Sequence, residues 1–103
     1  MPYCVIAENP HEGADAFERI NQHIRSTGPF PPEGQLLLIA GSAEPGWRAI
    51  SVWSSQDAHE RFFTKRLRPA CERAGVDFDK VKQTVFEVHT LVAGDLTGAL
   101  QPA

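Results

Sequence analysis

Two stretches of this chain are apolar on both faces of the strands they would form, and that pattern limits what a small protein can do with them. Side chains alternate between the two faces of a sheet, so in Leu36–Ala40 the residues Leu36 and Leu38 share one face while Leu37 and Ile39 share the other. Near the C-terminal end, Val85 and Leu91 oppose Phe86, Val88 and Val92 in the same way. A sheet that is apolar on both faces needs cover on both. With 103 residues the chain can build one hydrophobic core and no second domain, so cover beyond its own helices must come from another molecule.

The chain predicts two helices. Tyr3–Glu8 is a short apolar run with a β-branched centre, closed by the turn signals Asn9-Pro10 and Gly13, and reads as a strand. From Ala14 to Arg25 the residues Phe17, Ile20 and Ile24 recur at helical spacing, with Asp15 and Glu18 early and Arg25 late, as the helix dipole favours. Ser26–Gly34 holds Gly28, Pro29, Pro31, Pro32 and Gly34, which makes it an exposed connection and a candidate lid. Leu36–Ala40 and Trp47–Trp53 read as antiparallel strands joined through Gly41–Gly46. Ser55 is the expected N-cap of a second helix whose face is traced by Ala58, Phe62, Phe63, Leu67, Ala70, Cys71 and Ala74. Pro69 predicts a kink or restart near Arg66–Arg68, and Gly75 ends the helix. Thr84–Val92 is β-branched and predicts the fourth strand.

The order β-α-β-β-α-β defines an α+β, ferredoxin-like domain: a four-stranded antiparallel sheet with both helices on one face. It is expected over residues 1–93, with 94–103 a flexible C-terminal tail that frays or drapes over a neighbour. Helices then cover one sheet face, and the bare one would be a sticky patch. The simplest cover is an identical chain related by a two-fold axis, the two sheets closing face to face into a dimeric α+β barrel. A homodimer through the sheet face is therefore expected.

Ten Lys+Arg against thirteen Asp+Glu give a net charge of -3 with no basic stripe, which argues against a nucleic-acid partner. No apolar run reaches the roughly 20 residues that span a bilayer, and no secretory leader pattern opens the chain. The expectation is a cytoplasmic protein with no membrane partner. Cys4 and Cys71 lack the close pairing of a redox or zinc motif and read as reduced core thiols. His11, His23, His59 and His89 show no local ligand spacing, so neither metal nor cofactor is expected.

The stretch Gly46-Trp47-Arg48-Ala49-Ile50-Ser51-Val52-Trp53-Ser54-Ser55 resembles the segment of antibiotic-biosynthesis-monooxygenase-like proteins in which a Trp ends the third strand just before a capped second helix. That group lies within the dimeric α+β barrel superfamily, which includes cofactor-free oxygenases, haem-degrading enzymes, polyketide cyclases, isomerase-like enzymes and members without known activity. Haem-degrading relatives resemble the chain at Ala7-Glu8-Asn9, yet Phe62 and Glu72 stand where they carry a Trp and a His, so haem is disfavoured. The stress-responsive and plant-cyclase branch carries His-Pro-x-His where this chain has Arg68-Pro69-Ala70-Cys71, so its acid–base roles do not carry over.

Trp47, Ala49, Ser51 and Trp53 share one face of the third strand, two indoles flanking two small residues. The recess between them either admits a flat aromatic guest or is filled by side chains of the partner sheet. Glu87 and His89 share a face of the fourth strand, where a carboxylate could orient an imidazole base; the plainer alternative is a structural His at the dimer seam. His59, next to Ala58, borders the sheet-facing stripe of the second helix. Candidate catalytic residues are thus His89 and His59, and candidate substrate-binding residues are Trp47, Ser51, Trp53, Phe62, Asn9 and Glu87. Lys65-Arg66-Leu67-Arg68 reads as a solvated helix face balanced by Asp57, Glu60 and Glu72. Arg48 opposes the Trp face and is placed to pair with an acid.

Two functions fit these residues. One is a cofactor-independent monooxygenase-like enzyme or a cyclase or isomerase, acting on an aromatic or polyketide-like molecule by proton abstraction in a dry pocket. The other is a non-catalytic small-molecule binder or accessory dimer whose aromatic residues seal the barrel. A continuous concavity that touches a titratable side chain separates them.

Overall fold

A computed structural model of the protein describes residues 1–100. Strand β1 (Tyr3–Asn9) is followed by helix α1 (Ala14–Thr27), strands β2 (Gln35–Ser42) and β3 (Trp47–Trp53), helix α2 (Gln56–Phe62), a π turn (Phe63–Leu67), helix α3 (Arg68–Ala74), a 3-10 turn (Phe78–Lys80) and strand β4 (Lys82–Glu87). The sheet runs β2-β3-β1-β4 with every neighbouring pair antiparallel. This is the ferredoxin-like arrangement expected from the order of elements.

Local chemistry sets the boundaries. Ser55 caps α2 with its hydroxyl accepting from the Ala58 N–H at 3.1 Å. Gly75 ends α3 in the left-handed region at φ 74°. Between α2 and α3 the expected kink is a π turn. The ring of Pro69 would collide with the carbonyl four residues back and it has no N–H to give; the chain widens ahead of it, and Arg68 N–H bonds instead to the Phe63 carbonyl, five residues back. The second predicted helix is consequently two short helices with different duties. Ala58 and Phe62 of α2 pack with Val5, Trp53 and Tyr3 of the sheet, whereas Cys71 and Ala74 of α3 pack with Ala16 and Ile20 of α1. Both cysteines are free and buried.

The turn between β2 and β3 is pinned to the end of β1. Gly46 sits at φ +93°, and a Cβ there would run into the Asn9 carbonyl oxygen and lie 2.8 Å from the Cα of Pro10. Only glycine lets the turn approach so closely, and the approach sets Trp47 directly opposite Asn9.

Three expectations are corrected. The β-branched run predicts a fourth strand over Thr84–Val92, and the strand observed is Lys82–Glu87. Val88 N–H still bonds to the Pro2 carbonyl at 2.9 Å, but β1 offers no strand residue before Tyr3, so β4 has nothing left to pair with and His89 lies outside the sheet. Leu36 does not continue the alternation of β2, because a bulge between Gln35 and Leu37 takes it out of register and leaves it exposed. The basic cluster is not simply a solvated face. Arg66 is half-buried and donates to the carbonyls of Ile24 at 2.6 Å and Pro29 at 2.8 Å, tying the π turn to the end of α1 and the proline-rich connection. Arg68 lies 4.0 Å from Asp79 and makes no ion pair with Asp57, Glu60 or Glu72.

The outer sheet face, away from the helices, is graded. Leu37, Val52, Cys4 and Phe86 form one row across the strands, Ile39, Ile50, Ile6 and Thr84 the next, and Gly41, Arg48, Glu8 and Lys82 the last. Arg48 pairs with Glu8 at 3.3 Å, the acid contact its position suggested. Ile39 and Phe86 are 55% and 50% exposed, so an apolar surface remains on this side of the chain. Residues 94–100 are exposed and carry one turn, with Leu100 N–H bonded to the Leu96 carbonyl; the expected tail's last residues, 101–103, lie outside the described residues. Among the described residues no helix is long and apolar enough to cross a membrane.

Candidate active site

The inner sheet face does not close against the helices. Trp47, Ala49, Ser51 and Trp53 point to this side, and Ala49 pairs with Ala7 on β1 and Ala40 on β2. Small side chains on the two adjoining strands β1 and β3, Ala7, Ala49 and Ser51, leave a trough, with a large indole at either end of its β3 wall. Helix α1 roofs it with Phe17, Ile20 and Ile24. The result is a cavity of about 150 Å³ with an overwhelmingly apolar lining, close to the size of an engineered apolar cavity that takes benzene. The recess read from β3 is thus real, and it faces the chain's own helices rather than a partner sheet.

Trp53 is the most deeply buried large side chain. Its Nε1–H donates to the Ser51 hydroxyl oxygen at 2.9 Å, its ring lies 5.0 Å from Phe62, and it meets the His59 imidazole edge-on at 5.4 Å. His59 is the one polar or charged side chain in the buried set among the described residues. Tyr3 and Phe63 complete an aromatic surround, each 6.0 Å from it. The helix places it there because His59, three and four residues before Phe62 and Phe63, shares their face of α2 and meets Tyr3 and Trp53 of the sheet, so that what the sequence set at the margin of the apolar stripe is a lining residue of the cavity.

Desolvation lowers the His59 pKa below its ordinary value of 6.5, with the charge of Glu60 pulling weakly the other way. The imidazole is therefore neutral at pH 7. The unfolded chain takes up a proton near pH 6.5 that the folded chain refuses until lower pH, so stability is full above about 6.5 and is lost as pH falls through the folded value. Urea unfolding is expected to show a midpoint that drops between pH 7 and pH 5 in the wild type and drops less in His59→Gln; equal drops would assign the acid sensitivity to other groups. Burial also pushes the Cys71 thiol, another lining residue, up to about 11, which leaves it protonated and unreactive.

Of the residues singled out by sequence, Trp47, Ser51, Trp53, Phe62, Asn9 and His59 all line the cavity. Glu87 and His89 do not. Glu87 is exposed at the end of the edge strand, and His89 is exposed beyond it with Nδ1 2.7 Å from the Thr90 hydroxyl. The predicted pairing of these two on one strand face is absent because the strand stops between them. Sequence reasoning missed Glu12, Asn21, Gln35 and Gln83 in the lining. Asn21 falls at helical spacing from Phe17 and Ile24 and is legible there, whereas Gln35 and Gln83 join the inner face only through their register with Trp53 and Ala7.

Phe30 and Pro32 of the proline-rich connection also line the cavity. The Arg25 guanidinium lies over the Phe30 ring, 3.8 Å from its centroid. Together with the Arg66 contacts this fixes the candidate lid as a formed wall. Among the described residues no three His, Cys, Asp or Glu side chains are grouped to hold a metal ion.

A ferredoxin-like sheet with an apolar, imidazole-bearing cavity beneath its helices defines the class by fold, and that fold is shared with solved structures at low sequence identity. A dimeric ferredoxin-like protein of unknown function from Jannaschia sp. CCS1 is similar with a TM-score of 0.56 at 16% identity, over 85% of this chain and 100% of that one. An Asn-to-Ala variant of SnoaB, a cofactor-independent oxygenase from Streptomyces nogalater, is similar with a TM-score of 0.57 at 16% identity, over 90% and 97%. A protein from Chloroflexus aurantiacus J-10-fl, provisionally assigned as an antibiotic biosynthesis monooxygenase, gives 0.53 at 19% identity over 92% and 97%. No family model and no curated protein matches the sequence.

Proposed function

We propose that the protein is a homodimeric, small-molecule-binding enzyme that abstracts a proton from an aromatic substrate without a cofactor, with His59 as the base. The observation that carries this reading is the single buried imidazole in the lining of a largely apolar cavity. His59 replaces His89 as the favoured base because His89 is exposed outside the cavity. A base whose basicity is lowered by burial works on protons that are already acidic, such as those of a phenol or of a C–H beside a carbonyl. The volume suits one aromatic ring better than a fused polycycle. The resulting phenolate or enolate is electron-rich, and in the oxygenase version it reacts with dioxygen. There a methylene carbon is oxidised to a carbonyl: both of its C–H bonds break, a C=O bond forms to one oxygen atom, and the other oxygen atom is reduced and leaves as water with the two hydrogens. The likeness to a cofactor-independent oxygenase supports that version. Self-association through the outer sheet face is part of the proposal, supported by exposed Ile39 and Phe86 and by a dimeric neighbour of the same fold.

The test is native mass spectrometry of the purified protein for a co-purifying compound, followed by turnover of that compound by wild type and His59→Gln. A single-ring guest is expected, with turnover lower by roughly 100-fold or more in the variant. A guest that neither protein transforms would make this a carrier. Equal turnover by the two proteins would remove His59 as the base.

A further inference from the structure

The cavity offers a developing negative charge no cation, because its lining holds no Lys or Arg. When a base takes a proton from a phenol or from a C–H beside a carbonyl, the electron pair left behind settles on oxygen, and in an apolar site that oxygen needs a hydrogen-bond donor. Ser51 supplies one. It lies mid-sheet, opposite Val5 on β1 and Leu38 on β2, so both neighbouring strands cover its main chain. It is nevertheless only part-buried and lines the cavity, which leaves its hydroxymethyl group as the part that opens inward.

The hydroxyl has half of its hydrogen bonding still to give. Its oxygen accepts the Trp53 Nε1–H at 2.9 Å, and that is the one hydrogen bond of the Ser51 side chain among the described residues. An indole nitrogen can only donate, whereas a hydroxyl both accepts and donates, so the Ser51 O–H is left without an acceptor. Accepting from the indole anchors the oxygen and polarises the O–H. The same indole meets the His59 ring edge-on at 5.4 Å. Of the neutral donors in the lining, Ser51 is the one tied to the indole against which the base also packs.

Resting on the reading of His59 as the base of an aromatic-binding cavity, we infer that Ser51 is a second catalytic residue, whose O–H donates to the guest's phenolic or carbonyl oxygen as that oxygen turns anionic, with Trp53 as its positioning residue. The O–H or C–H bond of the guest breaks, its proton passes to a ring nitrogen of His59, and its electron pair stays on the phenolate oxygen or shifts to the enolate oxygen. Ser51 transfers no proton; its hydrogen bond strengthens as the charge arrives. The guest is thereby specified as a single ring bearing a hydroxyl or a carbonyl, not a ring alone.

Titration of bound 4-nitrophenol, whose phenolate is read by its absorbance, tests this in wild type, Ser51→Thr and Ser51→Val. The two variants add the same bulk and differ in the hydroxyl alone, and Ser51→Val keeps a methyl group where the oxygen was, in front of the Trp53 N–H. Circular dichroism reports their folding, and Ser51→Ala takes the place of Ser51→Val if the latter does not fold. Bound 4-nitrophenol is expected to ionise about one to two pH units higher in Ser51→Val than in wild type, the worth of one hydrogen bond to a charged oxygen. Ser51→Thr is expected to stay close to wild type, and toluene, a ring without oxygen, to bind both variants alike in calorimetry. Ionisation at the same pH in Ser51→Val and wild type, a shift in Ser51→Thr as large as in Ser51→Val, or binding of toluene without 4-nitrophenol overturns the role of Ser51 and leaves the ring-binding reading intact. Failure of both compounds to bind the wild type overturns both.

Discussion

Replacing Trp53 by alanine is expected to cost the fold about 3–5 kcal/mol, the range for removing a large aromatic side chain from a core. Trp53 is 1% exposed and packs with Val5 and Ala58. Phe62 and His59 lie against its ring, and Ser51 accepts its N–H. Truncation removes the wall between sheet and α2, strands the Ser51 hydroxyl and opens His59 to water. Domains of this size have about 5–15 kcal/mol in total, so the thermal midpoint followed by circular dichroism should fall by at least roughly 12 °C. Trp53→Phe, which keeps a ring and gives up the hydrogen bond, is expected to lose markedly less. If the alanine variant melted within a few degrees of wild type, the packing around α2 and β3 would be wrong as described.

A second large effect is expected on assembly. Under the proposed pairing of outer sheet faces, Phe86→Glu places a carboxylate in the interface twice, once from each protomer, because a two-fold axis repeats every change. Two unpaired charges facing an apolar surface weaken association by roughly 100-fold or more. The variant should sediment as a folded monomer at micromolar concentrations where the wild type is a dimer, since Phe86 is already half-exposed in the single chain. Arg48→Ala, in the ionic row at the far end of the same face, is expected to change the equilibrium far less. A wild type that sediments as a monomer refutes the pairing outright.

Features set by neighbouring residues in the chain were legible in the sequence. The phase of β3 followed from alternation and set Trp47, Ala49, Ser51 and Trp53 on one face; the cap at Ser55, the stop at Gly75 and the disturbance before Pro69 each followed from the chemistry of a single residue. Features set by a distant partner were not. The β-branched pattern of β4 runs on past Glu87, but a strand lasts only as long as its neighbour, and the loss of β1 beyond Tyr3 takes His89 out of the sheet. Arg66 reads in sequence as one more solvated cation because its two carbonyl acceptors, at Ile24 and Pro29, lie 42 and 37 residues earlier. The same holds for the site: two indoles on one strand were visible, whereas the vacancy between them needed Ala7 and Ala49 to face each other across strands that only the register brings together. His59 is the exception: it stands three and four residues before Phe62 and Phe63, so its place on their helix face was legible from spacing, while the depth of its burial depends on Tyr3 and Trp53 across the sheet.

The widened turn at Phe63–Leu67 does more than make room for a proline ring. Each residue of an α-helix turns its neighbour by about 100°, so a turn wound more loosely over five residues swings everything after it out of step with α2. That offset lets one stretch of chain lean on the sheet through Ala58 and Phe62 and then on α1 through Cys71 and Ala74. Shortening the turn by a residue would rewind it and aim Cys71 and Ala74 away from α1. The number of residues in this loop of helix, as much as their identity, decides whether the ceiling of the chamber meets its walls.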